Sequence, residues 1–498
     1  MNDAPALARG VILSGFDGEL PPEPLPRFAG YILFARNGTD VAAARAVTDA
    51  IRRAYADDMA PLIAIDQEGG RVARLQHGLE TIPSMMSLGA SGSLELAERA
   101  GEQVAFDLRR AGTTLDFAPV IDLALDPENT VIGTRAFGAD PQRVAAMGAA
   151  FASGLQRGGT IPCYKHFPGH GSTAVDSHLS LPVVDADAQT LRARDLAPFA
   201  EVARAAAAIM GAHLIVRAFD ERRPATRSRA IVDVLRGELG FKGAYVTDCL
   251  HMGAAAQEDG TVTAAVDALA AGADLLLISH SIEMANEAVE RIAGAVEAGT
   301  LPIERLQEAH ARVCALRLGG AMPLPLDESA VHPGIGREIA RRGLTLVRGI
   351  PHADPVTSIV VSFEAATTEG AAGAHVLHPS LQREAPVLME LILPLAPSQD
   401  QIAAALQRLA HSGRRPIVLS RRAHLYESQA GAIERTIALD RDAVVVSMRE
   451  PWDIPLFDGA RHVLAAYGDD AASIGGVADV LFGNSVPGGT LPVALALA

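Results

Sequence analysis

The chain has 498 residues, 49% hydrophobic and 20% charged, and its 43 Lys+Arg against 59 Asp+Glu leave a net charge of −16. This length asks for two or three compact units, and the composition excludes disordered, collagen-like and disulfide-framework chains. A surface this acidic repels phosphate backbones, which argues against a nucleic-acid partner.

Three cysteines, Cys163, Cys249 and Cys314, show neither framework nor metal-ligand spacing and read as thiols of a reducing compartment. The N-terminal residues lack the basic-then-apolar pattern of a signal peptide, and no apolar run reaches the ~18 residues of a membrane span. The expectation is a cytoplasmic protein with no membrane partner. Aromatic residues are only 4% of the chain, which favours a small ligand held by hydrogen bonds over a long polymer stacked on rings.

In chain order, short apolar runs occur at Gly10–Ser14, Tyr31–Ala35, Leu62–Asp66, Thr114–Pro119, Ile161–Lys165, Ala208–His213, Ala244–Asp248 and Asp274–Ser279. Most are nearly continuous in apolar residues, as parallel strands buried on both faces must be. Amphipathic Ala-rich stretches lie between them, including Val41–Ala56, Leu94–Arg110, Gln142–Arg157, Leu191–Ala207 and Arg229–Leu239. Eight strands alternating with helices predict an α/β fold of the (β/α)8 TIM-like barrel type over residues 1–320. A Pro-rich stretch at 321–334 reads as a linker. Beyond it, over 335–498, alternation resumes and predicts a smaller α/β sandwich domain. Its strands fall at Ser358–Phe363, Pro416–Leu419, Ala443–Met448 and His462–Ala466, and its helices near Gln399–Ser412, Ser428–Leu439 and Ala471–Leu481.

Barrels of this kind do their chemistry at the C-terminal ends of the strands. Here those ends carry Asp66 and Glu68, Asp116, Lys165 and His166, His213, Asp248, and His280. Charged and imidazole groups placed directly after apolar runs, strand after strand, predict an enzyme.

The densest stretch is KHFPGHGSTAVDSH at Lys165–His178, with three of the chain's 15 histidines within 13 residues. Pro168, Gly169 and Gly171 preclude a regular helix, so it forms a loop over the barrel mouth. Asp176 and His178 are close enough for the carboxylate to accept from one imidazole nitrogen, leaving the other to move a proton. A surface loop with structural hydrogen bonds is the plainer alternative. Zinc is another, since His166, His170, Asp176 and His178 are ligand types, but metal-dependent barrel hydrolases usually carry a His-x-His pair after the first strand, and none stands here. No metal or other cofactor is expected.

Asp248 ends the seventh run and is a candidate nucleophile or general base, or else a helix N-cap. Asp66 and Arg74 flank the paired glycines of DQEGGRVAR, which permit a sharp turn that faces both toward one pocket. Arg135 stands between glycines in VIGTRAFG. Lys165 is one of only two lysines, so a compact ammonium rather than a guanidinium fork is wanted there.

With IDQEGGRVARL, DFAPVID, VIGTRAFG, KHFPGHGSTAVDSH, PATRS, VTDCLHMGA and the late FGNSVPGGTLPV assembled, the chain resembles glycoside hydrolase family 3, in its β-N-acetylglucosaminidase branch known from bacterial cell-wall recycling. The resemblance implies a retaining enzyme with Asp248 as nucleophile and an Asp176–His178 acid/base dyad on a mobile loop. It further implies that Asp66, Arg74, Arg135, Lys165 and His166 hold the sugar. Many relatives carry a second Asp where this chain has Cys249, and an acidic or small residue at Ser172. The expected substrate is a small N-acetylglucosamine-containing glycoside or muropeptide. A phosphorylase using the same site stands as the alternative, and a non-catalytic sugar-binding protein as a further one.

Overall fold

The computed structural model describes residues 3–173, 181–252, 260–321, 331–364, 380–483 and 485–495. All eight expected barrel strands form: β1 (Ile12–Ser14), β2 (Gly30–Leu33), β3 (Leu62–Ile65), β4 (Leu115–Asp116), β5 (Ile161–Phe167), β6 (Ala208–Gly211), β7 (Ala244–Thr247) and β8 (Leu276–Ile278). They make one parallel sheet in the order β7-β6-β5-β4-β3-β2-β1-β8. A single parallel bridge, Val246 to Leu275, brings β7 beside β8, so the barrel is nearly closed. Every residue of these strands is buried, which is why they read as unbroken apolar runs rather than alternating ones.

The helices start where their caps dictate. The Asp40, Ser93 and Asp140 side chains accept from the backbone N–H groups of Ala43, Leu96 and Arg143 and open helices Val41–Ala54, Leu94–Arg110 and Pro141–Arg157. The expected single helix over Leu191–Ala207 is instead two, Ala188–Ala193 and Ala197–Val202. Pro198 lacks an N–H and fits only in a first turn, so the second helix has to begin afresh in front of it.

The second sheet has six strands: β9 (Thr345–Arg348), β10 (Ser358–Glu364), β11 (Met389–Pro394), β12 (Arg415–Ser420), β13 (Val444–Ser447) and β14 (His462–Ala465). Its order is β9-β14-β13-β12-β10-β11, parallel except for β9. The two strands missing from the sequence reading, β9 and β11, are both sheet edges with partly exposed residues, and such strands give no continuous apolar run. Helices Gln399–Ser412, Glu427–Leu439 and Ala471–Leu481 complete this α/β unit.

The two sheets are joined by apolar packing as well as by the chain. Met86, Val120, Val131 and Ile132, from the barrel side, belong to the same buried cluster as Ile359, Phe363, Val418 and Tyr467. Across this seam Ser84 Oγ donates to Tyr467 O at 2.6 Å, and the Ala139 N–H donates to Pro492 O at 3.0 Å. Among the described residues no helix is long and apolar enough to cross a membrane.

Candidate active site

A cavity of about 370 Å³ opens at the C-terminal ends of the barrel strands, lined among others by Asp66, Glu68, Arg74, Arg135, Lys165, His166 and Asp248. They come from the ends of four strands, β3, β4, β5 and β7, or the loops after them, which is how a barrel assembles a site from residues far apart in sequence. Asp66 follows β3. The short antiparallel pair Gln67–Gly69 and Val72–Ala73 then folds back and brings Glu68 and Arg74 to the same wall. Its turn depends on glycine: Gly69 and Gly70 have φ of +91° and +56°, and a Cβ on Gly70 would meet Ser84 Cα at 2.8 Å.

Lys165 is the centre of the wall. Its ammonium lies 2.7 Å from Asp66 Oδ1 and 2.6 Å from Glu68 Oε1, with the side chain 2% exposed. Glu68 in turn takes the Arg135 guanidinium bidentately, at 2.7 and 2.8 Å, and Arg74 Nη2 lies 3.4 Å from Asp66 Oδ2. Burial by itself raises a carboxyl pKa, but here the cations outweigh it. The Lys165 and Arg74 charges hold Asp66 below its ordinary value, and Arg135 and Lys165 do the same for Glu68. Burial opposes the Lys165 charge, yet Asp66 and Glu68 hold its pKa above the ordinary value. The wall is therefore ionised at neutral pH and offers fixed acceptors and donors to a polyhydroxy ligand. An ammonium reaches both carboxylates here as a point donor, the geometry its rarity in the chain foreshadows.

Asp122 is a residue the sequence reading passed over. It is fully buried and accepts three hydrogen bonds: from the His166 N–H at 3.1 Å, from His166 Nδ1 at 2.6 Å and from the His170 N–H at 2.7 Å. Burial raises its carboxyl, but His166 and these bonds overcome that and keep it ionised. An ionised carboxylate only accepts, so His166 Nδ1 carries a proton, while Nε2 lies 3.4 Å from Arg135 Nη2. Asn129 joins the same loops: its Nδ2 donates to His170 O at 2.9 Å and its Oδ1 accepts from Val131 and Ile132. The signal for Asp122 was present in DFAPVID, where a carboxylate inside an apolar run must find a partner when buried.

The other strand-end residues divide. His280 lines the cavity. Asp116 is buried beneath the wall, where burial lifts its pKa well above the ordinary carboxylate value and Oδ1 accepts from the Gln67 N–H. His213 is buried, bonded to Thr226 Oγ1 and Cys249 O, so it braces the wall behind the cavity. Asp248 stands in the cavity with Oδ1 accepting from the Cys249 N–H at 2.7 Å, and residues 249–252 after it are not helical, which leaves the N-cap alternative without support. Asp176 and His178 lie outside the described residues.

Residues 25–316 match the glycosyl hydrolase family 3 N-terminal domain. The chain belongs to glycosyl hydrolase family 3. As a member of that family it is a glycoside hydrolase. The β-hexosaminidase of Chromobacterium violaceum is 40% identical over 276 residues, covering 54% of this chain and 76% of the relative. That of Stenotrophomonas maltophilia is 41% identical over 277 residues, covering 53% of this chain and 80% of the relative. A solved family 3 β-N-acetylglucosaminidase from Paenibacillus sp. FPU-7 superposes with a TM-score of 0.90 at 32% identity, covering 99% of both chains. The two curated relatives thus align with about half of this family 3 chain, whereas the Paenibacillus enzyme matches both of its sheets.

The cavity also takes in a thiol. Cys249, next to Asp248, lines the cavity with its Sγ 2.8 Å from Ser279 Oγ and 3.8 Å from His280 Nδ1. Burial pushes its thiol pKa up, so it stays protonated and adds no charge beside Asp248.

Proposed function

We propose that this chain is a retaining exo-β-N-acetylglucosaminidase, which releases terminal N-acetylglucosamine from small glycosides or muropeptides. The observation that carries the reading is Asp248 standing in one cavity with the ionised wall of Asp66, Glu68, Arg74, Arg135 and Lys165. The relatives' activity and the size of the cavity, which suits one sugar better than a polymer, agree with it.

In the first step the Asp248 carboxylate attacks the anomeric carbon, a glycosyl-enzyme ester forms, and the glycosidic C–O bond breaks as His178 gives its proton to the leaving oxygen. In the second, His178 takes a proton from water, whose oxygen displaces Asp248, so the sugar leaves with its original β configuration. Asp176 orients the His178 ring and offsets the imidazolium charge. Asp66, Arg74, Arg135, Lys165 and His166 hold the sugar hydroxyls, with carboxylates accepting and cations donating. A cavity already lined with fixed charges needs little rearrangement as charge develops in the transition state.

The same reading divides the chain into a catalytic barrel over residues 1–320, a linker over 321–334 and a second α/β domain over 335–498. It gives the enzyme a cytoplasmic place of action in cell-wall recycling. Limited proteolysis tests the linker and cell fractionation the location.

The deciding experiment follows the products from an aryl N-acetyl-β-glucosaminide by NMR, with and without phosphate. β-N-acetylglucosamine as first product, at a rate indifferent to phosphate, is the expected result. Accumulation of a glycosyl 1-phosphate makes the chain a phosphorylase, α-sugar as first product makes it inverting, and no turnover removes the substrate assignment.

A further inference from the structure

Arg135 reaches the cavity from a three-residue helical turn, Gly133–Arg135, at the end of the long loop after β4. That loop has few regular backbone bonds of its own, yet the Arg135 fork is aimed at Glu68 well enough to pair with it bidentately at 2.7 and 2.8 Å. What holds it from behind is the second α/β unit. Glu450, just after β13 and only 3% exposed, takes the Arg422 guanidinium bidentately at 2.9 and 3.0 Å. The same carboxylate presses on the Gly133–Arg135 turn. Its Oε1 accepts from the Thr134 N–H at 3.4 Å, and a Cβ placed on Gly133, whose φ is +43°, would lie 2.0 Å from that oxygen. Only glycine admits the carboxylate there.

The neighbouring contacts converge on the same stretch. His424 Nε2 lies 3.0 Å from Pro127 O, with Nδ1 2.7 Å from the buried Asp453. From the barrel side, Arg71 Nη2 donates to Thr130 O at 2.5 Å and to Val131 O at 2.6 Å, and Arg135 Nη1 donates to Val131 O at 3.0 Å. The loop is thus clamped between a barrel arginine and the ends of β12 and β13, with Arg135 at its tip.

We propose that the second α/β unit is a positioning element for the sugar site: Glu450, fixed by Arg422, sets the Gly133–Arg135 turn and through it the aim of Arg135. Glu450 does not line the cavity and acts on the sugar only through Arg135. The proposal rests on the reading of Arg135 as a sugar-binding residue, and it gives the second unit a task in catalysis that requires no ligand contact from it.

The test is a double-mutant cycle on kcat/KM with an aryl N-acetyl-β-glucosaminide, using Glu450→Gln, Arg135→Ala and the double variant, with thermal unfolding recorded alongside. Glu450→Gln removes the charge while keeping the shape. It lowers kcat/KM by up to about 100-fold, the scale of a sub-ångström to 1 Å misplacement of a binding group. In the Arg135→Ala background that loss shrinks to about onefold, because a residue acting through another has nothing left to act on. A Glu450→Gln loss of the same size in both backgrounds overturns the proposal, and so does a Glu450→Gln enzyme with wild-type kcat/KM. If Arg135→Ala alone leaves kcat/KM unchanged, the sugar-binding reading of Arg135 is what fails, and the proposal falls with it. Should Glu450→Gln not fold, Arg422→Lys, which keeps the charge and loses the fork, enters the same cycle with the same expectations.

Discussion

Two clusters of buried arginines and carboxylates stand on either side of the loop that ends at Arg135. On the barrel side Asp66, Glu68, Arg74, Arg135 and Lys165 form the cavity wall. On the far side Glu450 with Arg422, and Asp469 with Arg421 and Arg449, form the seam of the second unit. Both bury ions, at a desolvation cost of several kcal/mol each, and both recover it through short paired contacts. They differ in what they face. The seam is closed around itself and around loop backbone, whereas the wall borders empty volume large enough for a ligand. Buried charge therefore does not mark a site; buried charge turned toward a cavity does. Perturbed pKa values occur in both clusters, and geometry has to decide which one is functional.

The largest expected effect separates the proposed nucleophile from this charged surround. Asp248→Ala lowers turnover by roughly ten-thousandfold or more, the scale of losing a covalent nucleophile, while leaving the wall's ion pairs and the unfolding midpoint close to wild type. A variant within tenfold of wild-type turnover removes Asp248 from the mechanism. The measurement is steady-state kinetics with active-site contamination controls.

Next comes the wall itself. Lys165→Met leaves two buried carboxylates short of a partner and costs about 3–5 kcal/mol of unfolding free energy. The penalty has a definite pH dependence. Asp66 and Glu68 are held below their ordinary values in the folded protein, so their pairing stabilises above those values and is lost as they protonate in acid. The gap between wild type and Lys165→Met therefore narrows as pH falls below about 4. Urea unfolding at pH 7 and at acid pH measures it, and a gap independent of pH contradicts the ionised wall.

A third prediction contrasts single groups in the two regions. Burial lowers the His170 pKa to about 4, so folding favours its neutral form and stability falls as pH drops from 6.5 toward 4. Asp470 caps the helix Ala471–Leu481, and burial pushes its carboxyl up to about 6 despite its bonds to Ser473. Here folding favours the protonated form, so stability falls as pH rises from about 4 to about 6. The two slopes oppose each other over the same window. Asp470→Asn keeps the cap, since asparagine caps as well as aspartate, and removes only the second slope. Its advantage over wild type is near zero at low pH and grows to about 3 kcal/mol at pH 7. An advantage that does not grow with pH refutes the assignment for Asp470.

The barrel was legible because parallel strands buried on both faces must be apolar throughout, and because charged residues appear abruptly at their ends. That signal located Asp66, Glu68, Lys165, His166, Asp248 and His280 on the cavity. It could not say which way a strand-end side chain points. Asp116 and His213 follow the same sequence rule yet turn into the protein, and no pattern distinguishes them from Asp66. Edge strands β9 and β11 were invisible for the opposite reason, since exposure on one side breaks the apolar run. The Glu450–Thr134 contact joins residues more than 300 positions apart, and only the packing of the second unit against the barrel brings them together. Cys249 was noticed as a departure, but its partners on β8's loop were not.

Those partners make Cys249 the sharpest small test of how the two regions differ, because it brings a neutral group to a cavity whose other polar lining is mostly charged. Its thiol sits 2.8 Å from Ser279 Oγ, and burial keeps it protonated. Cys249→Ser keeps a hydrogen-bonding group of nearly the same size, so turnover changes by no more than the ~1 kcal/mol of one adjusted hydrogen bond, a few-fold in kcat/KM. Cys249→Asp is different in kind. A second carboxylate beside Asp248 disfavours ionisation of both, so the acid limb of the kcat/KM profile moves to higher pH while the Ser variant's limb stays in place. If the limb moves equally in both variants, the thiol's hydrogen bonds rather than its lack of charge govern Asp248. If neither moves it, Asp248 is insulated from its neighbour, and the charge-coupling prediction fails.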